Sequence, residues 1–392
     1  MMNFKYITEI SSPVKSILYS NFKLSDYRLA VVLNSRQSKT PCGNDTWVIN
    51  SKKAITDAIN NNYTVITSIG MNTWELTCNL CARYGGRQVI ICPIVSEKDI
   101  DSIIHSTYND FELDTTKASW LFFKSPAKSK SSKASWPIRD KISLNLADTI
   151  MPVSLRPNGN LLNLMNKYIG NESKTITDKH RVAYTKSRKY HNQMPMEVDR
   201  SLENESWSYI THWTRTCYGH WPKQTKSTFY KKLVDSGECY PNTAYSTLAN
   251  ILHRQTIYAS SSNYRKGNQG VSFSGSHPKD VLSLMHWRKR YARWNFEPYG
   301  ISIARKTAIS LGVNPVIYGK PSMYDKLTDK DKPFFQSIGV DGGNWRAENE
   351  WRYISDFSIK DILPDNMIVI VRKPEEIEPM RKITKSKVVS FT

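Results

Sequence analysis

The sequence lacks any long hydrophobic run, and this absence excludes several classes of protein. No apolar stretch approaches the roughly eighteen residues that a membrane-spanning helix needs. Residues 1–12 do not combine a basic segment with a following apolar one, so they predict no secretory signal. We therefore expect a cytoplasmic protein without a membrane partner; a homo-oligomer stays open.

Cysteine is also scarce, with six residues scattered along 392. A chain of this length can bury a core without disulfides, so reduced thiols are expected. Cys78 and Cys81 have the C-x-x-C spacing of zinc and redox sites, but no second pair lies near them. The same spacing fits one buried helix face, and we predict no metal site.

Acidic residues are outnumbered by basic ones, 35 to 55, which gives a formal charge of +20. Such an excess favours a polyanionic partner such as DNA or RNA. A basic surface also promotes solubility, so both interpretations stay open.

The length and the pattern predict a Rossmann-like nucleotide-binding domain over 1–165, a polar linker or connecting helix over 166–200, and an α+β effector domain over 201–392. In the first range, short apolar runs alternate with helical stretches, as in folds with a parallel sheet. Predicted strands are 28–33, 64–67, 88–92 and 149–153, and predicted helices are 51–60 and 73–84. The stretch 124–133, rich in Lys and Ser, predicts an exposed loop, with contact to a phosphate backbone as the alternative.

Three polar segments should meet at the carboxyl edge of this sheet, where ligands bind in such folds: residues 34–36, 68–73 and 156–159. Gly70 permits close backbone approach, Thr73 can cap the following helix, and Glu75 can accept a ribose hydroxyl. Glu75 can equally be an ordinary acid in the first turn of the helix.

The segments 67–76, 85–88, 139–140 and 147–150 resemble the SLOG superfamily, which includes the Rossmann domain of DNA-processing protein A and the lysine-decarboxylase-like phosphoribohydrolases. The resemblance covers roughly residues 26–165. The family pattern has Gly-Gly-x-Gly-Thr before the acidic residue, and this chain lacks two of those glycines. The resemblance therefore implies a binding or sensing module, with ligand neighbours Arg36, Gly70, Thr73, Glu75 and Arg139. The alternative for Arg139 and Asp140 is a surface ion pair at a helix start.

In the C-terminal range, potentially reactive polar residues stand beside large aromatic ones in four segments, a mixture that suits a cleft: 211–222, 271–274, 294–301 and 345–352. Their order, an Arg or His, a Ser-x-Ser and a Glu-x-Glu, resembles the ADP-ribosyltransferase superfamily. The resemblance implies that Glu350 is catalytic, that Glu348 orients the acceptor, and that Arg215 or His212 holds NAD. It also places Ser272 with the catalytic residues and Ser274 and Tyr299 with the cofactor-binding ones.

A second resemblance covers most of residues 207–372, on segments that include 245–252, 284–287 and 348–352. It is to an uncharacterised bacterial domain family found in abortive-infection settings, and it implies no particular chemistry.

Plainer interpretations of these residues stay open. Glu348 and Glu350 can pair with Arg346 and Arg352 along one strand face, because residues two apart in a strand point the same way. His212 can be a structural histidine, and Trp213 and Trp221 can be core residues. The run 287–294 favours an amphipathic helix, with stacking of bases on its aromatic and arginine side chains as the alternative.

Together these features predict a defence-type protein whose first domain senses a nucleotide-derived ligand and whose second domain transfers ADP-ribose from NAD, with nucleic acid the favoured target. Two alternatives come from other classes. One is a non-enzymatic DNA- or RNA-binding protein, and the other is a nucleotide phosphoribohydrolase that uses Glu75.

Overall fold

The structure, a computed structural model, describes residues 4–11, 13–126, 133–185, 202, 206–261, 269–289, 292–338 and 345–391. The chain forms two compact units. The first comprises Met1–Lys189 and Tyr218–Pro241, and the second comprises Tyr190–Cys217 and Asn242–Thr392. Every helix in these described ranges is too short or too polar to cross a bilayer.

The first unit is built on an eight-stranded sheet with the order β1-β2-β6-β5-β4-β3-β7-β8. Its strands are β1 Tyr6–Ile10, β2 Ser16–Ser20, β3 Leu29–Asn34, β4 Thr64–Ser68, β5 Gln88–Ile94, β6 Ala118–Lys124, β7 Thr149–Ser154 and β8 Thr175–Ile176. The six strands β3 to β8 are parallel to one another. β2 pairs with β6 and β1 pairs with β2, both in antiparallel orientation. This is the Rossmann-like α/β sheet that the sequence predicts.

Helices cover both faces of this sheet, which is why its central strands are buried along nearly their whole length. They are α1 Thr46–Asn60, α2 Asn72–Arg83, α3 Ile100–Phe111, α4 Trp136–Leu146, α5 Asn160–Asn166 and α6 Lys226–Val234. Apolar residues of α1, α2, α3 and α6 form one core with the sheet, and those of α4 and α5 contribute to the core on its other face.

The order in which the chain adds strands to the sheet reverses between β3 and β7. From β3 it adds β4, β5 and β6 on one side, and it then crosses back to place β7 on the other side of β3. Folds of this type bind ligands outside the carboxyl ends of the strands at such a switch point.

The segment 218–241, which we call the strap, belongs to the first unit although it follows residues of the second. Its helix α6 contributes Phe229, Tyr230 and Leu233 to a core of the first unit. The predicted range 201–392 places the strap in the C-terminal domain, and the structure differs because these apolar side chains pack under the first sheet.

The second unit contains a seven-stranded, mostly antiparallel sheet with the order β15-β18-β11-β9-β14-β20-β21, as the predicted α+β class requires. Its strands are β9 Tyr209–Trp213, β11 Val271–Ser274, β14 Gly300–Ala304, β15 Asn314–Pro315, β18 Glu350–Tyr353, β20 Met367–Val371 and β21 Lys387–Ser390. Three pairs of short strands stand apart from it: β10 Thr256–Ile257 with β19 Phe357–Ser358, β12 Trp287–Arg288 with β13 Arg293–Trp294, and β16 Ile317–Gly319 with β17 Phe335–Ser337. Its helices are α7 Ala244–Arg254, α8 Pro278–Val281, α9 Arg305–Ser310 and α10 Ile377–Arg381.

The predicted helix over 287–294 is wrong. Residues 287–288 and 293–294 form the antiparallel ribbon of β12 and β13. Aromatic residues at both ends of the run satisfy helical spacing, but they equally satisfy a cross-strand pair, here Trp287 opposite Trp294.

The predicted linker is also partly structured. Thr175 and Ile176 join the first sheet as β8, and Asp57 accepts hydrogen bonds from Lys179 and His180 at 2.6 and 2.8 Å. Most of 186–205, and residues 127–132 of the Lys- and Ser-rich stretch, lie outside the described residues. Trp213 and Trp221 are buried, in different units, as the plainer interpretation predicts.

Candidate functional site

The polar loops predicted to meet at the carboxyl edge of the first sheet are joined there. The backbone N–H of Ser35 donates to the carbonyl of Ser154 at 2.8 Å, and the N–H of Arg156 donates to Ser35 Oγ at 2.9 Å. Asn72 Nδ2, at the start of α2, donates to the carbonyl of Ser38 at 2.7 Å. The loops after β3 and β7 and the start of α2 therefore form one wall, which we call the switch-point site.

Helix α2 begins without a side-chain cap. Its N-cap residue is Met71, whose side chain makes no capping hydrogen bond, so the prediction that Thr73 caps the helix is wrong. Thr73 is the second residue of α2, and its Oγ1 is buried without a hydrogen-bond partner among the described residues. An uncapped first turn leaves N–H groups and positive dipole charge for an anion.

Gly70 precedes α2 in an open position. Its φ is +86°, a left-handed backbone conformation that is strained for residues with a Cβ. No other atom lies within 4 Å of the position that a Cβ would occupy. The residue is exposed. A ligand can therefore approach this backbone closely, as the sequence predicts, although the Gly70 N–H is engaged by Glu75 at 3.1 Å.

Glu75 is held by three donors rather than left open for a ribose. Besides the Gly70 N–H, its carboxylate accepts from Lys226 Nζ at 2.8 Å and from the Tyr230 hydroxyl at 2.9 Å, both on the strap. Burial raises the pKa of Glu75, but Lys226 and the other donors outweigh it, so the pKa lies below its usual value. Glu75 therefore fixes the loop of Gly70 to α6 as a carboxylate.

Two arginines lie against tryptophan rings at the same edge. The guanidinium of Arg36, in the loop after β3, is 4.7 Å from the ring centroid of Trp136, and that of Arg139 is 5.0 Å from the ring centroid of Trp74. Trp136 and Arg139 are three residues apart on α4, so they share one side of that helix. Indole faces hold guanidinium groups by cation–π attraction without using up their N–H donors.

Arg139 and Asp140 form an ion pair. The pair is largely buried, so the alternative prediction of a surface ion pair is wrong. Arg139 is only 4% exposed, and its Nε and Nη2 donate to Asp140 Oδ1 at 3.0 and 2.8 Å. Burial raises the pKa of Asp140 against the opposing effect of Arg139. A buried pair of this kind holds Arg139 in place beside Trp74.

In the second unit, the strands that carry the predicted transferase motifs are neighbours. β18, β11 and β9 are adjacent in the sheet, and Ser272 Oγ donates to Glu350 Oε1 at 2.8 Å. The structure thus brings together the Ser-x-Ser strand and the second glutamate of the Glu-x-Glu.

The register places His212 and Tyr299 apart from those residues. Directly paired residues share a sheet face, and His212 pairs with Ile301 on the face that carries Phe273 and the apolar core. Tyr299 packs against this core as well, and its hydroxyl donates to Glu376 at 2.9 Å. Ser272, Ser274 and Glu350 lie on the opposite, mixed face. The structure therefore does not bring all the predicted NAD-site residues onto one face of the sheet.

His212 behaves as a structural histidine. Its Nδ1 donates to the carbonyl of Ser272 at 2.9 Å. Burial lowers its pKa to about 4, so the ring is neutral near pH 7.

Glu350 is paired with Arg352, one of the plainer interpretations. Arg352 Nε donates to Glu350 Oε1 at 2.9 Å and Nη2 lies 3.2 Å from Oε2. Arg352 is 2% exposed and also donates to the carbonyls of Pro333 and Phe335 and to Gln336 Oε1. Glu350 is therefore the partly buried partner of a buried arginine.

Glu348 lies in a polar cluster with other partners than Arg352. Its Oε1 accepts from Asn295 Nδ2 at 3.2 Å and is 3.7 Å from Arg288. Burial raises the pKa of Glu348 above its usual value, and Arg215 is one of the charges acting on it. Ser274 Oγ donates to the Glu348 carbonyl at 2.6 Å. Arg215 and Glu348, both predicted site residues, are thus brought together.

Cys78 and Cys81 are buried thiols on α2. Burial raises both pKa values, that of Cys81 to about 12, which disfavours thiolate ligands. Within the described ranges, no group of three or more His, Cys, Asp or Glu residues is placed to hold a metal ion.

Sequence reasoning missed four residues of the switch-point site: Trp74, Trp136, Lys226 and Tyr230. The three-residue spacing of Trp136 and Arg139 could have indicated Trp136, and Trp74 stands next to Glu75 in the predicted loop-and-helix segment. No local signal indicates Lys226 and Tyr230, because they meet Glu75 from more than a hundred residues away in the chain.

Comparison with solved structures finds DNA processing protein A from Streptococcus pneumoniae, at 13% identity and a TM-score of 0.33, over 44% of this chain and 62% of that one. It also finds DNA processing protein A from Helicobacter pylori, in a structure concerned with its single-stranded DNA binding mode, at 9% identity and a TM-score of 0.29, over 44% of this chain and 91% of that one. The chain thus spans less than two thirds of the Streptococcus protein. No protein-family model and no curated protein matches the chain.

Proposed function

We propose that the first unit binds a phosphate-bearing ligand of the nucleotide type at the switch-point site. The observation that carries the proposal is the exposed Arg36, whose guanidinium lies on the face of Trp136, in the loop that the uncapped start of α2 contacts through Asn72 and Ser38. A guanidinium group and a helix N-terminus are matched to a phosphate by charge and by hydrogen-bond donors.

The net charge of +20 supports a polyanionic form of this ligand, a single strand of DNA or RNA. Phosphate contacts of this kind are the same in a mononucleotide and in a strand. A free nucleotide and an oligonucleotide therefore both belong in the test.

Replacing Arg36 with glutamine is expected to weaken binding about tenfold or more, because a hydrogen bond to a charged group contributes roughly 1.5–3 kcal/mol. Arg36 is exposed, so the substitution should leave the fold intact. Calorimetry with ADP and fluorescence anisotropy with a labelled oligonucleotide, both at low salt, measure the change.

The matched control is Arg254→Gln, which removes the same charge from an exposed position on α7 of the second unit. If the two variants weaken binding equally, only net charge matters and the proposal fails. A lower salt dependence in Arg36→Gln alone would mark the loss of a phosphate contact.

Base release from nucleotides is not favoured by the site. Glu75 would have to leave Lys226, Tyr230 and the Gly70 N–H before it could act on a ribose. We therefore propose binding, not phosphoribohydrolase chemistry, for the first unit.

A second candidate is ADP-ribosyl transfer from NAD by the second unit. The adjacency of β9, β11 and β18 and the hydrogen bond from Ser272 to Glu350 favour it. Ser272, Glu350, Arg215 and Glu348 would form its site, without His212 or Tyr299. A fixed carboxylate would stabilise the charge that develops as the glycosidic bond breaks.

Under this candidate, Glu350→Gln should abolish release of nicotinamide from labelled NAD, because the amide loses the negative charge. Glutamine can still accept hydrogen bonds from Ser272 and Arg352. The variant loses the charge that compensates the buried Arg352, so circular dichroism and a melting curve must establish that it is folded at the assay temperature. Glu348→Gln serves as the comparison at the neighbouring carboxylate. Turnover that is equal in the wild type and in both variants would exclude this activity at this site.

A further inference from the structure

The strand β1 forms one edge of the eight-stranded sheet and lacks several features that protect an edge strand. Its strand neighbour among the described residues is β2, and their register runs from Tyr6 to Ile10 without a shift or bulge. Residues 4–11 contain no proline. Short length, bulges, prolines and charged side chains are the usual means by which proteins keep such edges from pairing with another chain.

The other edges of the two large sheets are protected. β8 and β15 comprise two residues each, and β15 includes Pro315. β21 is longer, but three of its four residues are buried. In β1, by contrast, the three consecutive residues Ile7, Thr8 and Glu9 are exposed, Ile7 to 64%. Consecutive side chains lie on opposite faces of a strand, so β1 is open to solvent on both faces.

The outer side of β1 also has free backbone groups. In the described part of the chain, the backbone hydrogen bonds of residues 6–10 are those of the ladder with β2. The N–H and C=O groups that point away from β2 therefore form an unpaired row. A row of this kind is completed by the addition of one more strand.

The charges beside this row favour a second copy of the same chain as that strand. Lys5 directly precedes β1 and Glu9 lies within it, each two residues from Ile7. In an antiparallel pair of identical strands centred on Ile7, each Lys5 stands opposite a Glu9 of the other chain. Opposite charges stabilise such a pair. Glu9 already lies 3.1 Å from Lys15 Nζ, but its side chain is 61% exposed and can accept a second cation.

The other symmetric registers lack these attractions. Directly opposite residues share a face, so a two-fold continuation of the sheet pairs each residue with one an even number of positions away. A pair centred on Thr8 sets Ile7 opposite Glu9, and a pair centred on Tyr6 sets Lys5 opposite Ile7. A pair centred on Glu9 sets two like charges opposite each other, which is destabilising. The charges of β1 therefore select the register centred on Ile7.

We propose that two copies of this protein associate through β1, so that their sheets continue into one another across a two-fold axis. The two β1 strands are antiparallel and centred on Ile7. A contact of this length buries little area, so it gives a monomer–dimer equilibrium that shifts with protein concentration rather than a permanent dimer. The association uses no residue of the switch-point site and does not depend on the ligand proposed for it.

Sedimentation velocity of the full chain over a concentration series tests the proposal by exchange of charges. Lys5→Glu and Glu9→Lys each turn two attractive pairs per dimer into repulsive ones, so each should weaken self-association about tenfold or more. An equimolar mixture of the two variants should recover the wild-type association, because every pair in the mixed dimer again joins opposite charges. The double variant Lys5→Glu with Glu9→Lys should also associate like the wild type.

Arg254→Glu is the control for net charge, because it makes the same reversal as Lys5→Glu at an exposed position of the second unit and should leave association unchanged. The mixture distinguishes lost pairing from misfolding, since two misfolded variants do not restore each other. A wild type that stays monomeric at every concentration would overturn the proposal. So would single variants that associate like the wild type, or that fail to recover when mixed.

Disulfide trapping tests the register. Ile7→Cys places the two thiols directly opposite each other, with Cβ atoms about 4.5–5.5 Å apart, close to the spacing that a disulfide spans. Thr8→Cys places them at diagonal positions about 7–8 Å apart, which is too far. Mild oxidation should therefore link Ile7→Cys into dimers more than Thr8→Cys or the wild type, whose exposed Cys239 sets the background. Equal linking in the three proteins would overturn the register centred on Ile7.

Discussion

Replacing Arg352 with methionine is expected to lower the free energy of unfolding of the second unit by about 3–5 kcal/mol, the range for breaking a buried ion pair from one side. Methionine fills the space but leaves the Glu350 carboxylate with Ser272 as its hydrogen-bond partner among the described residues. The carbonyls of Pro333 and Phe335 each lose the hydrogen bond from Arg352 at the same time. Chemical denaturation, followed by tryptophan fluorescence, measures the loss.

The double variant Glu350→Gln with Arg352→Met should be more stable than Arg352→Met alone, because no uncompensated charge remains buried. Arg381→Met is the matched control, since Arg381 pairs with Glu378 on an exposed helix end. An exposed pair contributes about 0–1 kcal/mol. A loss in Arg352→Met no larger than in Arg381→Met would contradict the structural role of this pair.

Replacing Lys226 with methionine should destabilise the first unit by about 2–3 kcal/mol at neutral pH, because Glu75 loses its only cationic hydrogen-bond donor among the described residues. The two side chains are 21% and 14% exposed. The pKa of Glu75 lies below its usual value, so the pair stabilises the fold above the normal carboxyl range and this contribution is lost as pH falls through the lowered pKa. The difference between wild type and variant should therefore persist from pH 7 down to the ordinary glutamate pKa of about 4.3 and shrink at lower pH.

Lys231→Met provides the control on the same helix. Lys231 pairs with Glu112 at 2.7 Å, but both side chains are about half exposed, at 45% and 50%. Its loss should be within about 1 kcal/mol. Denaturation curves for the two variants across this pH range decide the matter: equal losses, or a Lys226→Met loss that grows in acid, would exclude the proposed linkage.

The parallel sheet of the first unit could be predicted from the sequence because its strands are buried on both faces. β3, β5 and β7 are largely apolar, and β4 combines two aliphatic residues with β-branched threonines. The predicted bounds of these strands are confirmed within one or two residues. Helix α1 begins at Thr46 rather than at Ser51, because Trp47 and Val48 extend its buried face beyond the predicted start. The edge strands β1 and β2 were missed because they are short and partly exposed.

Only those features of the candidate sites that follow from the local sequence pattern could be predicted. Strand-end loops such as 34–36 and 68–73 are placed by the sheet, so their meeting follows from the order of elements. Which face His212 points to depends on its pairing with Ile301, and a shift by one residue would reverse it. Two partners of Glu75 come from α6, and no residue near Glu75 in the sequence indicates this contact.

The strap also affects the order in which the protein folds during synthesis. The ribosome produces residues 1–189 long before 218–241, yet Phe229, Tyr230 and Leu233 complete the hydrophobic interior of this region. Part of the apolar surface of the nascent first unit therefore stays exposed until the strap has been synthesised. A truncated gene that stops before codon 218 would encode a product with this surface permanently exposed, and such a fragment should depend on chaperones and tend to aggregate.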